Sequence, residues 1–256
     1  MTTSTQMIFD APPKDWKHLQ QLVHQAFIEM GCHAEEPKIV VLVRGNKEVD
    51  VYVEDVVHGI KNVYLIECKY WNSDLPQEVV HGFRTVVADS GANKGIIVAK
   101  KGFQSGANEA ISKTPTDLLT WEEFNIVFFK KWRSAATESL QDRARKLLEF
   151  REFPYGPMCD ETKVKLSPEE HNLWAEYVNG FEITIVLATR NILKELSDGS
   201  VRLVDPRSPL NDFEQVKFWI VETHREWYDY ISSQLNFWLG KTEAWMKSFA
   251  ARSPVE

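Results

Sequence analysis

Two acidic residues and a lysine on neighbouring apolar segments have the types and spacing of a metal-dependent hydrolytic site. Asp50 lies at an end of the apolar segment Val49–Val53, and Glu67 and Lys69 end the next one, Val63–Lys69. Because side chains alternate across a strand, Glu67 and Lys69 share one face. Charges at the end of a buried strand are costly unless something compensates them. A divalent cation held by Asp50 and Glu67 would do so.

These groups suit phosphodiester hydrolysis with Mg²⁺, for which Mn²⁺ is expected to substitute. Mg²⁺ prefers hard oxygen ligands and keeps several waters, so two carboxylates, a peptide carbonyl and a phosphate oxygen form a plausible set. The carbonyl of Cys68 is the natural third protein ligand, because its peptide lies between the two side chains that share a face. Lys69 would orient or deprotonate an attacking water, or offset charge in the transition state. On a solvated strand, the same acid-x-lysine spacing is a charge pair that contributes little.

Composition limits the classes of protein that this chain can represent. Its 256 residues can bury a sizeable core, and its 30 Lys and Arg against 37 Asp and Glu give a net charge of -7. Bulk electrostatic coating of nucleic acid is therefore not expected, and any DNA contact should be local. The three cysteines lack metal-ligand spacing, and their odd number argues against a disulfide framework. No apolar run is long enough to span a membrane. We expect a soluble protein of the cytoplasm, without a membrane partner.

The first half of the chain alternates helices with short strands. Apolar residues recur at helical spacing from Asp15 to Met30, and Gly31 is a typical helix stop. The next three strands are expected to be adjacent and antiparallel: Ile39–Val43, Val49–Val53 and Val63–Lys69. There follow a helix at 77–88, a strand at 95–99, a short helix at 105–112, a strand at 117–120 and a helix that opens at Trp121. This order predicts an α/β fold with a mixed sheet and helices on both faces.

Beyond residue 125 the pattern becomes mainly helical, and we predict two domains, 1–125 and 126–256. A long helix is predicted over 126–150 and a linker over 153–165, where two prolines stop the helix. Ser167-Pro168-Glu169-Glu170 has the N-cap serine, first-turn proline and glutamate of a capping box, which predicts a helix over 167–197. A last helix with a broad aromatic face is predicted over 213–249. We expect this helical region to act in assembly or regulation.

The order of these motifs resembles the catalytic domain of Mrr-like restriction endonucleases, in the PD-(D/E)xK nuclease superfamily. The resemblance covers about residues 16–124. It rests on the first helix, Asp50, Glu67-Cys-Lys-Tyr-Trp71, Asp89-Ser-Gly-Ala-Asn-Lys-Gly-Ile-Ile-Val98 and Gly102-Phe-Gln-Ser-Gly-Ala107. It implies a restriction-endonuclease-like fold that cuts DNA with Mg²⁺. It also implies that Asp50 and Glu67 are metal ligands and that Lys69 is the catalytic lysine.

Two positions depart from the pattern of that family. Many members have a glutamate in the first helix beside the metal, where this chain has Gln20 followed by Gln21. A neutral amide can hold a metal-bound water but adds no charge. Many members also have glutamine where this chain has Glu67, and the acid should support metal binding.

The turn that starts at Gly102 is a candidate phosphate-binding element. Backbone N–H groups at a helix start can bind a DNA phosphate. The side chains placed for such contacts are Lys100, Lys101, Gln104 and Ser105. A turn with a serine cap explains these residues equally well.

These observations favour a metal-dependent DNA endonuclease, the effector of a prokaryotic restriction or antiphage system. Cutting both strands with one site per chain requires two copies, so a homodimer or larger assembly is expected, with a partner protein of the defence system as a further candidate. One alternative is a DNA repair or junction-resolving nuclease. Another is a non-catalytic scaffold with a nuclease fold, which binds partner proteins through its helical region.

Overall fold

The computed structural model describes residues 6–153, 166–190, 193–195, 201–204, 218–219 and 221–250. These residues group into two compact units, one of Gln6–Ala135 and one that begins at Ala136. The helices are α1 (Trp16–Glu29), α2 (Gln77–Ser90), α3 (Ser105–Ala110), α4 (Trp121–Glu152), α5 (Pro168–Thr189) and α6 (His224–Ala250). The strands are β1 (His33–Glu35), β2 (Lys38–Leu42), β3 (Gly45–Val49), β4 (Val51–Val57), β5 (Ile60–Lys69), β6 (Lys94–Ala99), β7 (Thr116–Thr120), β8 (Leu193–Glu195), β9 (Val201–Val204) and β10 (Phe218–Trp219).

The first unit is built on a mixed five-stranded sheet in the order β1-β4-β5-β6-β7. Neighbours are antiparallel from β1 to β5 and parallel from β5 to β7. Helix α1 packs against β1, β4 and β5, while α2 packs against β6 and α3. The predicted α/β class and mixed sheet are confirmed. Helix α2 is the crossover that makes β5 and β6 parallel.

The predicted row of three adjacent antiparallel strands is wrong at its first member. Strand β2 pairs with β3 in a separate two-stranded hairpin, and the neighbour of β4 on the far side from β5 is β1, which the sequence reading did not find. The cause is a bend at Asp50, which divides the predicted strand Val49–Val53 between the two sheets. Asp50 therefore precedes β4 instead of ending a strand.

The helical boundaries also differ from those read from the sequence. Helix α4 runs without a break from Trp121 to Glu152, so the opening helix and the helix predicted over 126–150 are one element. The capping box at Ser167 is present, with both hydrogen bonds formed. Helix α5 ends at Thr189 instead of 197, because Arg190 is extended and β8 pairs with β9 beyond it. The predicted linker lies, apart from Phe153, outside the described residues.

The last predicted helix, 213–249, begins eleven residues later, at His224. Phe218 and Trp219 form β10, which pairs with β9. Aromatic residues favour strands as well as apolar helix faces, and periodicity over so short a run does not separate the two. The N–H of Glu226 donates to Thr223 Oγ1 at 3.0 Å, which fixes the helix start. Residues 213–217 lie outside the described part of the chain.

Aromatic side chains join the helices of the second unit. The ring of Phe150 on α4 packs edge-on against Phe181 of α5 and Trp245 of α6, with centroids 6.1 and 5.4 Å apart. Such pairs add to the free energy gained by burying the rings. Helix α6 thus has a partner for its aromatic face within the unit. Among the described residues, no helix is both long and apolar enough to cross a membrane.

Candidate active site

The antiparallel pairing of β4 with β5 brings the three predicted catalytic residues to one edge of the sheet. Val51, the first residue of β4, pairs with Ile66 near the end of β5. Asp50 immediately precedes Val51, and Glu67 immediately follows Ile66. Since the start of an antiparallel strand lies beside the end of its neighbour, sequence positions 17 residues apart meet at this edge.

The Asp50 carboxylate is held between α1 and the end of β5. Its Oδ1 accepts the side-chain amide of Gln20 at 2.5 Å, and its Oδ2 accepts the backbone N–H of Cys68 at 2.7 Å. Gln20 is buried on α1, with 8% of its surface exposed. Gln20 of the first helix therefore contacts Asp50 directly. The amide fixes the orientation of the carboxylate and brings no second negative charge.

The side chains of Glu67 and Lys69 meet on one face of β5, as alternation along a strand predicts. The Lys69 ammonium forms an ion pair with Glu67 Oε1. The two side chains are 16% and 21% exposed, so they are sheltered but reachable from solvent. Between them, the Cys68 side chain is buried on the other face, where burial raises the pKa of its thiol well above the usual range. The thiol therefore stays protonated and takes no part in the charge of the site.

The donor groups at this edge fit a small, hard cation. Each oxygen of Asp50 accepts one hydrogen bond, and a carboxylate oxygen has room for about two. The Cys68 N–H points to Asp50, and the N–H and C=O of one strand residue point the same way, so the Cys68 carbonyl also lies on that side. Within the described residues no group of three or more His, Cys, Asp or Glu side chains is placed to hold a metal. Two carboxylates with waters and a phosphate are nevertheless a set that Mg²⁺ accepts.

The predicted phosphate-contacting residues lie beside this edge. The N–H of Lys100 donates to the Lys69 carbonyl at 2.9 Å, which places Lys100 and Lys101 just past the end of β6. Gln104 is the N-cap residue of α3, and Ser105 is its first residue; both side chains are exposed. The N–H of Gln104 donates to the Leu75 carbonyl at 3.0 Å, so its amide side chain is the group left to reach a phosphate.

The structure adds His24 and Glu36 to this neighbourhood, which sequence reasoning missed. His24 lies one turn after Gln20 on α1, and its Nδ1 is 3.6 Å from Glu36 Oε2. Burial raises the pKa of Glu36, and the charge of Asp50 adds to that rise against His24 and Lys17, which lower it. The helical spacing of Gln20 and His24 was a usable signal. Glu36 carried none, since it follows the unpredicted strand β1.

Comparison with known protein families shows that these residues lie within a nuclease-like domain. Residues 14–126 match the family model Mrr_cat, described as a restriction endonuclease. This stretch is a restriction-endonuclease-like domain. The resemblance read from the sequence over about 16–124 is confirmed at the same place in the chain. Nucleases of the PD-(D/E)xK type usually use a divalent metal, which agrees with the oxygen-rich edge described above.

Two solved structures show a likeness at low identity. The crystal structure of the protein of unknown function AF1548 is 16% identical, with a TM-score of 0.39, over 67% of this chain and 99% of that one. The restriction endonuclease MspJI in complex with a 27-mer oligonucleotide is 17% identical, with a TM-score of 0.28, over 44% of this chain. The match spans 26% of the length of the MspJI chain. No curated protein matches this chain.

Proposed function

We propose that this chain is a divalent-metal-dependent endonuclease that hydrolyses phosphodiester bonds in DNA and acts as the effector of a prokaryotic system against foreign DNA. One observation carries the proposal. Asp50 and the Glu67-Cys68-Lys69 segment meet at one sheet edge, inside the residues that match the restriction endonuclease model. The role in defence is supported by the likeness to restriction endonucleases alone.

The roles of the residues follow from their positions. The carboxylates of Asp50 and Glu67 and the carbonyl of Cys68 would hold Mg²⁺ or Mn²⁺, which supplies Lewis acidity toward the scissile phosphate when bound. Gln20 keeps the Asp50 carboxylate in one orientation through its amide. Lys69 donates hydrogen bonds to the phosphate or to the attacking water and offsets the charge that builds in the transition state.

The DNA backbone is proposed to pass the ends of β5 and β6. Lys101, Gln104 and Ser105 are exposed there, and the half-buried Lys100 donates its ammonium to Asn72 beside them. Cutting a duplex with one such site per chain requires two copies, so we propose a homodimer or larger assembly. We assign that assembly, or docking of a partner protein, to the helical region over 126–256.

Cleavage of supercoiled plasmid tests the proposal. Wild type should nick or linearise the plasmid with Mg²⁺ or Mn²⁺ and should do nothing in excess EDTA. Lys69→Ala should lose at least about a hundredfold in rate, the usual effect of removing one group that stabilises charge in the transition state. Lys94→Ala is the matched control, because Lys94 pairs with Asp117 at the opposite end of β6 and should leave the rate unchanged. Equal cleavage by wild type and Lys69→Ala would reject the assignment.

A further inference from the structure

Two tryptophans are unusually exposed for side chains of their size. Trp16 is 60% exposed and Trp71 is 44% exposed. The other tryptophans whose exposure the structure describes are buried or half-buried: Trp121, Trp132, Trp174, Trp227, Trp238 and Trp245. Single exposed apolar residues are common on protein surfaces, so exposure alone assigns no role. The positions of Trp16 and Trp71 in the fold indicate a role for them.

Both exposed tryptophans lie at the sheet edge that bears Asp50, Glu67 and Lys69, which we call the catalytic edge. Trp16 lies one helical turn before Gln20 on α1, and residues four apart share a helix face. Trp71 is two residues beyond Lys69. The Tyr70 hydroxyl lies 3.1 Å from the carbonyl oxygen of Pro13 and 2.8 Å from that of Lys14, which joins the segment after β5 to the start of α1. The two indoles are therefore carried by segments that hydrogen bonds hold together.

Cationic side chains accompany the indoles. The ammonium of Lys100 lies 4.2 Å from the centre of the Tyr70 ring and donates to Asn72 Oδ1 at 2.7 Å. Lys14, Lys17 and Lys101 are exposed on the adjoining segments. Two nearby acids accept backbone N–H groups: Asp15 accepts that of His18 at 2.7 Å, and Asp74 accepts that of Gly102 at 3.2 Å. In a chain with a net charge of -7, this edge combines exposed aromatic faces with several lysines.

We propose that Trp16 and Trp71 stack on unpaired bases, so that the site binds single-stranded or locally unpaired DNA in preference to intact duplex. Proteins that bind single strands combine a cationic track for the backbone with aromatic side chains for the bases. In an intact duplex both faces of an internal base are covered by its neighbours, and an indole gains nothing from it. The inference rests on the proposed nuclease function and names the form of DNA that it selects.

Binding measured without cleavage tests the inference. Fluorescence anisotropy in EDTA compares a labelled single strand of about 20 nucleotides with its blunt duplex. This length exceeds the roughly 4–16 nucleotides that one single-strand-binding OB fold covers. Trp16→Ala and Trp71→Ala should each weaken single-strand binding by about five- to a hundredfold, and duplex binding much less. Trp16→Phe and Trp71→Phe should keep most of the affinity, because a ring remains. Ile60→Ala is the control, since Ile60 is 68% exposed at the start of β5, away from Glu67 and Lys69, and should leave both affinities unchanged.

A base-deletion cycle separates stacking from a general structural effect. An abasic site is placed at each position of the single strand in turn. Wild type should lose affinity at the stacked positions, while the matching tryptophan variant should lose no more there. Wild-type affinity in both alanine variants, equal loss on single strand and duplex, or no coupling at any position would overturn the inference.

Failure of this inference can be told apart from failure of the nuclease assignment. Plasmid cleavage that depends on Lys69, together with alanine variants that bind single strands normally, would refute stacking and leave the nuclease standing. Tryptophan-dependent binding of single strands with no cleavage under any divalent metal would refute the nuclease and leave the stacking standing.

Discussion

The two ends of the β4–β5 pair each place an aspartate near a lysine, yet the two carboxylates are used differently. At the end away from the catalytic edge, Asp55 is 7% exposed and accepts hydrogen bonds from the Cys32 thiol, the Tyr64 hydroxyl and the Lys131 ammonium. Burial raises the pKa of Asp55, but these donors, Lys131 first, outweigh it and hold the pKa below the usual range. Burial also raises the pKa of Cys32 to about 11, so this thiol stays a donor.

At the catalytic edge, Asp50 accepts two neutral N–H donors, from Gln20 and Cys68, and the lysine pairs with a different acid, Glu67. The carboxylates therefore keep acceptor capacity on a side that solvent reaches. An aspartate surrounded by hydroxyl, thiol and ammonium donors stabilises the fold, because its charge is already compensated. The charge of an aspartate held only by neutral N–H donors is not compensated by a lysine, and at Asp50 we propose that a cation compensates it. Both ends carry an aspartate, and the difference between them lies in the donors that surround it.

The same substitution at both ends should separate the two roles. Asp50→Asn should lower metal-dependent cleavage by at least about a hundredfold with little change in stability. Asp55→Asn should keep cleavage per folded molecule but lower the free energy of unfolding by about 1–3 kcal/mol, because Lys131 is left without its carboxylate. Plasmid cleavage and urea unfolding of both variants provide the measurement. Loss of activity in both variants in proportion to stability would erase the contrast.

Acid should remove the stability that the Asp55 charge provides. Hydrogen bonds from Lys131, Tyr64 and Cys32 hold the pKa of Asp55 in the folded protein below the ordinary aspartate value of 3.8. Its contribution to stability is therefore present above that pH and is lost as the pH falls through the folded-state pKa. Urea unfolding of wild type and Asp55→Asn is measured from about pH 7 to about pH 3. The difference between their free energies of unfolding should narrow below about pH 4. A difference that stays constant over this range would show that the Asp55 charge does not produce it.

Gln20→Glu should make the catalytic end depend on metal for stability. The amide nitrogen is 2.5 Å from Asp50 Oδ1, so a glutamate there adds a like charge at short range and should cost about 1–2 kcal/mol without metal. Mg²⁺ or Mn²⁺ should recover that loss in a thermal unfolding experiment. Gln21→Glu is the control, because Gln21 is exposed on the next helix position. The same metal response in both variants would separate Gln20 from the metal site.

Cys68→Ala should have the smallest effect. Its thiol is buried away from the face that bears Glu67 and Lys69, and only its backbone is assigned to the site. We expect normal cleavage and a loss of roughly 0.5–1 kcal/mol in the free energy of unfolding from the small cavity. Cleavage rates and urea midpoints, measured side by side, check both parts. A large fall in cleavage at unchanged stability would mean that the thiol itself acts.

Several elements of both units could be read from local patterns. Alternation along β5 placed Glu67 and Lys69 on one face, and the capping box at Ser167 placed the start of α5. The predictions failed where pairing with a strand distant in sequence selects the structure. Valine flanks Asp50 on both sides in the run Val49–Val53, which predicts one strand, although Val49 ends β3 and Val51 begins β4. Phe218 and Trp219 suit a helix face or a strand, and pairing with β9 selects the strand.

The sequence by itself determined which groups could do chemistry, because residue type and strand periodicity are local properties. It specified an acid-x-lysine pair, an upstream acid and the α/β order that surrounds them. Only the tertiary structure decided which lysine pairs with which acid, that Gln20 and Cys68 hold Asp50, and that two tryptophans stay exposed beside the site. Hydrogen-bond donors and solvent exposure depend on neighbours distant in sequence, and these are fixed when β4 and β5 pair and α1 packs upon them.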